Sequence, residues 1–306
     1  MRTLTPGLAA MLPAISLPLM FILMWSSGYV VGKLALPFVG PFTLLFIRFA
    51  SAALVLLCVA LATRAPWPQT RAQAGHLVVV GLLIQVLQFA SLYIGLDLGV
   101  PTGIAALIVG TMPVLTALGA TRFLGEKVSG VEWIGLVGGL AGVALVVWEQ
   151  LASARAAASL TAYLCVVLAL AGISAGSLYQ KKFCAGMDLR TGGCIQLGTA
   201  AVVMFFLAEH YEALHVQWTP TLLFASTWLS LVNSIGAISI LFVLMRNGEA
   251  SKVAGLFHLI PAVTALMGFV FLGERFSALN ALGFAITAAA VYVCTHPHST
   301  TAKAAS

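Results

Sequence analysis

The chain has 306 residues, 61% of them hydrophobic and only 8% charged, with a formal net charge of +6. A soluble globule carries about a quarter charged residues, so this composition cannot coat one and points to a lipid bilayer. No soluble catalytic or nucleic-acid-binding domain fits into what the membrane leaves over.

A helix needs about 20 apolar residues to cross about 30 Å of hydrocarbon. Runs of that length, broken at charges, Gly/Pro pairs or polar clusters, predict ten spans at 13–35, 41–63, 75–96, 100–122, 131–149, 160–182, 191–209, 221–245, 250–272 and 277–295. The first follows Arg2 without a small-residue cleavage site after it, which predicts a retained helix and not a signal peptide. With both termini in the cytoplasm, the inner side collects Arg2, Arg64, Arg71, Arg122, Lys127, Lys181, Lys182, Arg190, Arg246, Lys252 and Lys303, and the outer side Lys33, Arg155 and Arg275. That asymmetry is the positive-inside bias, so the basic balance reads as topology, and no nucleic-acid partner is expected. Cys58, Cys165, Cys184, Cys194 and Cys294 form no CxxC pair. Neither a disulfide framework nor a metal site is expected, and no cofactor.

Polar groups inside a membrane are costly and face a cavity or the bundle interior. In the first span Trp25, Tyr29 and Lys33 recur every four residues on one face, and Gly28 and Gly32 form a GxxxG on another. Trp25 and Tyr29 suit stacking on a substrate ring; the alternative is an interfacial aromatic belt with a snorkelling lysine. In the second span Arg48 lies about 10 Å along the helix, too deep to snorkel, and is expected to anchor to backbone carbonyls or a neighbouring helix. In the third, Gln85 and Gln88 stand one turn apart near the middle. An unpaired amide there costs several kcal/mol, so substrate or another helix must satisfy them; Tyr93 lies further out.

Pro113 in the fourth span and Pro261 in the ninth each remove a backbone hydrogen bond and predict kinks that serve as hinges. Ser174 and Ser177 lie in the sixth span, and Thr227, Ser230, Asn233 and Ser234 form a stripe on the eighth. Hydroxyls often bond back to their own helix, which makes Asn233 the stronger substrate-binding candidate. His258, alone in the ninth span, either binds substrate, titrates or makes a structural hydrogen bond. No Asp or Glu falls deep within a span, which argues against proton-coupled antiport of hydrophobic cations. No Gly-rich phosphate loop, HExxH or nucleophile elbow occurs, so no catalytic residues are assigned.

Residues 111–127, TMPVLTALGATRFLGEK, and 259–275, LIPAVTALMGFVFLGER, repeat one phrase at an offset of 148 residues. The same offset pairs Ser26, Gly28 and Lys33 with Ser174, Gly176 and Lys181, Ser91 with Ser239, and Gln85 with Asn233. The halves are therefore 1–150 and 151–306, each with five spans, and an odd number of crossings inverts the second copy. Inverted halves around a midplane site are the architecture of secondary transporters.

On PVLTALGATRFLGEK, PAVTALMGFVFLGER, WSSGYVVGK at 25–33 and the Arg48-Phe49 pair, the chain resembles ten-helix members of the drug/metabolite transporter superfamily with two EamA-type repeats. The resemblance implies an all-α membrane protein, a multi-pass exporter of the bacterial inner membrane working as a monomer among lipids. It also implies a small-molecule substrate: an amino acid, aromatic ones included, or a wider range of drugs and metabolites. A site rich in aromatic and amide groups but lacking fixed charge suits a neutral or zwitterionic solute. An intramembrane enzyme acting on a lipid-linked substrate would need a nucleophile, metal cluster or convergent carboxylates that the chain does not offer.

Overall fold

The computed structural model describes residues 6–116, 119, 130–152, 158–237, 240, 259–275 and 277–295. His258 and the first copy's Phe123–Lys127 lie outside them. Ten helices are described: α1 (Pro6–Ala35), α2 (Pro41–Ala62), α3 (Arg71–Asp97), α4 (Thr102–Gly110), α5 (Gly130–Ala152), α6 (Leu160–Phe183), α7 (Leu189–Glu212), α8 (Pro220–Thr227, continued as a π-helix to Ala237), α9 (Ile260–Leu272) and α10 (Ala278–Thr295). Five of the spans are long and apolar enough to cross a bilayer: Leu17–Phe38, Pro41–Ala62, Arg71–Asp97, Leu160–Phe183 and Leu189–Glu212. The others described are shorter apolar helices, among them Ile260–Leu272 and Ala278–Ala290.

Local chemistry sets the helix ends. Pro41 and Pro220 occupy first-turn positions, where the missing N–H is no loss. Thr70 and Gln73 make a reciprocal capping box at the start of α3, and Asp188 and Thr219 cap α7 and α8. Gly273 closes α9 in the left-handed region at φ 66°, which turns the chain so that Glu274 leaves the helix axis.

The helices pack in symmetric pairs, α2 along α7 and α5 along α10, with α4 on α9. Phe46 meets Phe205 at 5.4 Å and Phe42 meets Tyr211 at 6.0 Å across α2 and α7. Glycines bring other pairs together: a Cβ on Gly28 of α1 would lie 2.8 Å from Asn233 of α8, and one on Gly176 of α6 would lie 2.4 Å from Ile84 of α3. These contacts are equivalent under the repeat, since α1 with α8 and α6 with α3 exchange roles. The inversion is visible too, because Gly95 near the end of α3 faces Ala162 at the start of α6, and the chain just after α3 meets Lys33 at the end of α1. Equivalent helices α1 and α6 therefore run in opposite directions.

Candidate transport site

Two segments depart from α geometry. Gly81–Gln88 within α3 and Trp228–Ala237 within α8 are π-helical. The repeat offset carries the first onto the second almost residue for residue, and each holds an amide near its centre, Gln85 and Asn233. A π turn holds an extra residue and leaves the backbone ladder irregular, a geometry found frequently at functional sites. A second matched irregularity lies at the prolines. Thr111 and Leu259, also one offset apart, are turn residues two positions before Pro113 and Pro261. Their carbonyls accept from Leu115 N at 3.4 Å and Val263 N at 3.0 Å.

The π segment of α8 meets α1, α2 and α3 in a polar cluster. Arg48, 6% exposed, donates from Nε to Ser234 Oγ at 2.9 Å and from Nη1 to the Tyr93 hydroxyl at 3.2 Å. The Tyr93 hydroxyl donates in turn to the Gly28 carbonyl at 3.3 Å. Asn233 Nδ2 donates to the Met24 carbonyl, while its Oδ1 is buried without a partner among the described residues. Ser51 Oγ donates to Ser230 Oγ at 2.8 Å, and Trp228 Nε1 donates to Ser27 Oγ at 2.9 Å. The Arg48 guanidinium carbon also stands 4.5 Å from the centre of the Phe89 ring, a stacked arrangement that stabilises a cation away from water.

Of the predicted site residues, Tyr93 and Asn233 join this cluster, and Tyr29 is buried in the main core, 7% exposed. Trp25 is half-buried with its ring 5.4 Å from Phe21. The remaining candidates lie around α3 and α6. Among the described residues buried Gln88 Oε1 and Ser174 Oγ have no partner, and Ser177 Oγ lies 4.0 Å from Met112 Sδ on the continuation of α4. Gln85 is half-buried, makes no hydrogen bond to a described residue, and is not joined to Asn233. Arg48 reaches neighbouring helices, as expected, through side chains and not backbone carbonyls. Its presence in the cluster wall departs from the expectation of a site without fixed charge. Ser234, Ser230, Ser51, Trp228 and Ser27 enter as partners that residue type alone did not distinguish from ordinary helix hydroxyls and aromatics.

At one end of the bundle Glu274 accepts from Lys33 Nζ at 3.0 Å and from the backbone N of Thr102, at the start of α4, at 2.8 Å. Glu212 does the same for α2, accepting from Phe42 N at 2.9 Å and Thr43 N at 2.8 Å. At the other end the Arg190 guanidinium, hydrogen-bonded to Asp188, holds its carboxyl below the usual range against the opposing effect of burial.

The fold and site thus define a multi-pass membrane protein of two helical repeats around a polar centre. Residues 12–148 and 160–295 each match the EamA-like transporter family. The chain belongs to that family, whose members are transporters and not enzymes. It is 29% identical over 267 residues to the uncharacterized transporter YvbV of Bacillus subtilis, covering 83% of this chain and 82% of that protein. It is 26% identical over 275 residues to the uncharacterized inner membrane transporter YedA of Escherichia coli K12, covering 89% and 87%. A third relative, 24% identical over 287 residues and covering 90% and 93%, is described as a probable amino-acid metabolite efflux pump of Escherichia coli K12. A solved crystal structure shares the fold, with a TM-score of 0.62 at 20% identity over 92% of this chain and 97% of that one.

Proposed function

We propose that the protein exports small neutral or zwitterionic solutes, amino acids including aromatic ones foremost, by alternating access across a bacterial inner membrane, with both termini in the cytoplasm. The observation that carries this reading is the pair of π segments at one repeat offset, each bearing an amide, in helices that meet α1 and α6 at the bundle centre. Exchanging the conformations of two such inverted halves moves a central site from one side to the other. The efflux-pump relative supports the substrate class. Pro113 and Pro261, each two residues beyond a matched turn, serve as the hinges. Tyr29, Tyr93, Gln85, Gln88, Ser174, Ser177, Asn233 and Trp25 form the surrounding surface that the solute meets.

Purified protein in liposomes, offered labelled phenylalanine, tryptophan and a panel of other amino acids without ATP, tests the reading. Uptake above empty liposomes supports it. Uptake of unrelated hydrophobic cations with no amino-acid transport would favour the broader drug exporter. An imposed pH gradient that leaves uptake unchanged marks facilitated transport, and concentrative uptake marks coupling.

A further inference from the structure

We infer that Arg48 is the anion anchor of the transport site, so that the solutes carried are those bearing a carboxylate. The inference rests on the transport reading and names the chemistry its site selects. Among the described residues the ion pairs are Lys33 with Glu274 and Arg190 with Asp188, and no carboxylate lies within pairing distance of Arg48. A guanidinium does not give up its proton in a protein, and burying it is costly unless an opposite charge compensates. Its partners here are two neutral hydroxyls and two aromatic rings, those of Phe49 and Phe89, which lower that cost without cancelling the charge.

The geometry leaves room for a further partner. Nε and Nη1 are engaged, and Nη2 bonds to no described residue. A carboxylate approaching the fork takes Nη2 together with Nη1 in the bidentate arrangement that guanidinium favours. Asn233 completes the recognition. It is next to Ser234, the residue that holds Arg48 Nε, and packs against Gly28, whose carbonyl holds Tyr93. Its Nδ2 is fixed on the Met24 carbonyl, which leaves the buried Oδ1 as an acceptor facing no donor among the described residues. An acceptor beside an anion anchor matches the ammonium and carboxylate of one zwitterion. Arg48 is only 6% exposed, so the anchor meets solute when the helices packed over it, α8 or α3, part from it.

The test uses purified full-length protein and two independent readouts. The first is the rise in thermal unfolding midpoint produced by phenylalanine, by phenylpropanoate, which lacks the ammonium, and by phenylethylamine, which lacks the carboxylate. The second is competition by the same compounds against labelled phenylalanine uptake in liposomes. The expected result is that both carboxylates stabilise and compete while the amine does neither. Arg48→Gln should weaken the carboxylate response at least about 30-fold, the loss expected when one member of a desolvated charge pair is removed. Arg48→Lys keeps the charge, guards against simple misfolding, and should recover only part of it because the fork is lost. An amine that stabilises as well as the acids in the wild type overturns the inference, as does a folded Arg48→Gln that responds like the wild type. Wild-type protein that transports phenylalanine but accepts the amine equally leaves the transport reading standing and removes only the anchor. Wild-type protein that neither shifts with nor transports any carboxylate overturns both.

Discussion

Glu274 reaches Lys33 across 241 residues of sequence and joins the end of the second repeat's α9 to the end of the first repeat's α1. Its two oxygens also accept from Thr102 N and Thr102 Oγ1, at 2.8 and 2.8 Å for the closest contacts, so one carboxylate both pairs a lysine and caps the positive end of α4. The final FLGER of the repeated phrase gains its meaning here. Gly273 turns the chain and Glu274 locks it.

Glu274→Ala removes the cap and leaves Lys33 with the Val100 carbonyl alone, at 2.7 Å. A partly buried donor stranded this way costs about 1–3 kcal/mol. The thermal midpoint in detergent should fall accordingly, and Glu274→Gln, which keeps an acceptor for Thr102, should fall less. A midpoint equal to wild type for the alanine variant would show that water replaces the cap.

Gly32→Ala tests the setting of Tyr93. A methyl there would sit 2.6 Å from the Tyr93 hydroxyl oxygen and 2.8 Å from its Cζ, and the ring is 1% exposed with its hydroxyl held between Arg48 and Gly28. Overpacking of this kind costs about 1–3 kcal/mol. Liposome uptake should drop more than folded yield, because the displaced ring disturbs the cluster before it disturbs the bundle.

Two glycines should behave oppositely when made alanine. At Gly142 in α5 the new methyl would meet the Gly283 carbonyl of α10 at 2.8 Å, backbone that cannot swing aside, so the two helices must separate and stability should fall. Close approach through small residues is what holds membrane helices together in the absence of a hydrophobic drive. Gly75 in α3 is exposed with nothing within 4 Å, and its alanine should raise stability by about 0.5–1 kcal/mol through backbone entropy alone. Thermal unfolding of both variants in one detergent makes the comparison.

Pro113→Ala and Pro261→Ala restore N–H donors just beyond the turns at Thr111 and Leu259. If those turns flex during the cycle, each variant should transport several-fold more slowly at unchanged folded yield, and the double variant more slowly still. Single-turnover and steady-state uptake measure it; rates equal to wild type would make the breaks static.

The acid side of the stability curve should carry a mark of Asp188. Its carboxyl is held low chiefly by the Arg190 side chain, whose Nη2 lies 2.7 Å from Oδ2. A depressed folded value means that the contribution is present above the unfolded value of about 3.9 and disappears as pH falls through the lower folded one. The difference in midpoint between wild type and Asp188→Ala should therefore be constant at neutral pH and shrink below about pH 4. A difference that persisted through that fall would assign the effect to helix capping geometry alone.

The repeat was legible because a constant offset survives in apolar sequence, and the matched prolines each stand two residues after a turn residue, Thr111 and Leu259. The predicted spans agree closely with the helices wherever the latter are described, since hydrocarbon thickness sets length and charges set the ends. The π geometry was not legible: nothing in Gly81–Gln88 or Trp228–Ala237 distinguishes their composition from an ordinary apolar helix. Nor could spacing tell that Arg48 would find Ser234 and Tyr93, because those contacts depend on how α2, α3 and α8 cross. The amides diverge for a related reason. Gln85 and Asn233 share a register, but only Asn233 lies against a glycine that lets it reach the facing backbone.

The π segments have one more consequence. The extra residue in such a turn can be handed to the next residue along, which reconnects the ladder and swings each side chain it passes by about 100°. In α8 that motion would carry Asn233 or Ser234 off the wall and onto it by rotation alone, with the helix ends left where they are. A wave of this sort in α3 and its counterpart in α8 would let each half redress the lining of the passage while the rods around it stay still.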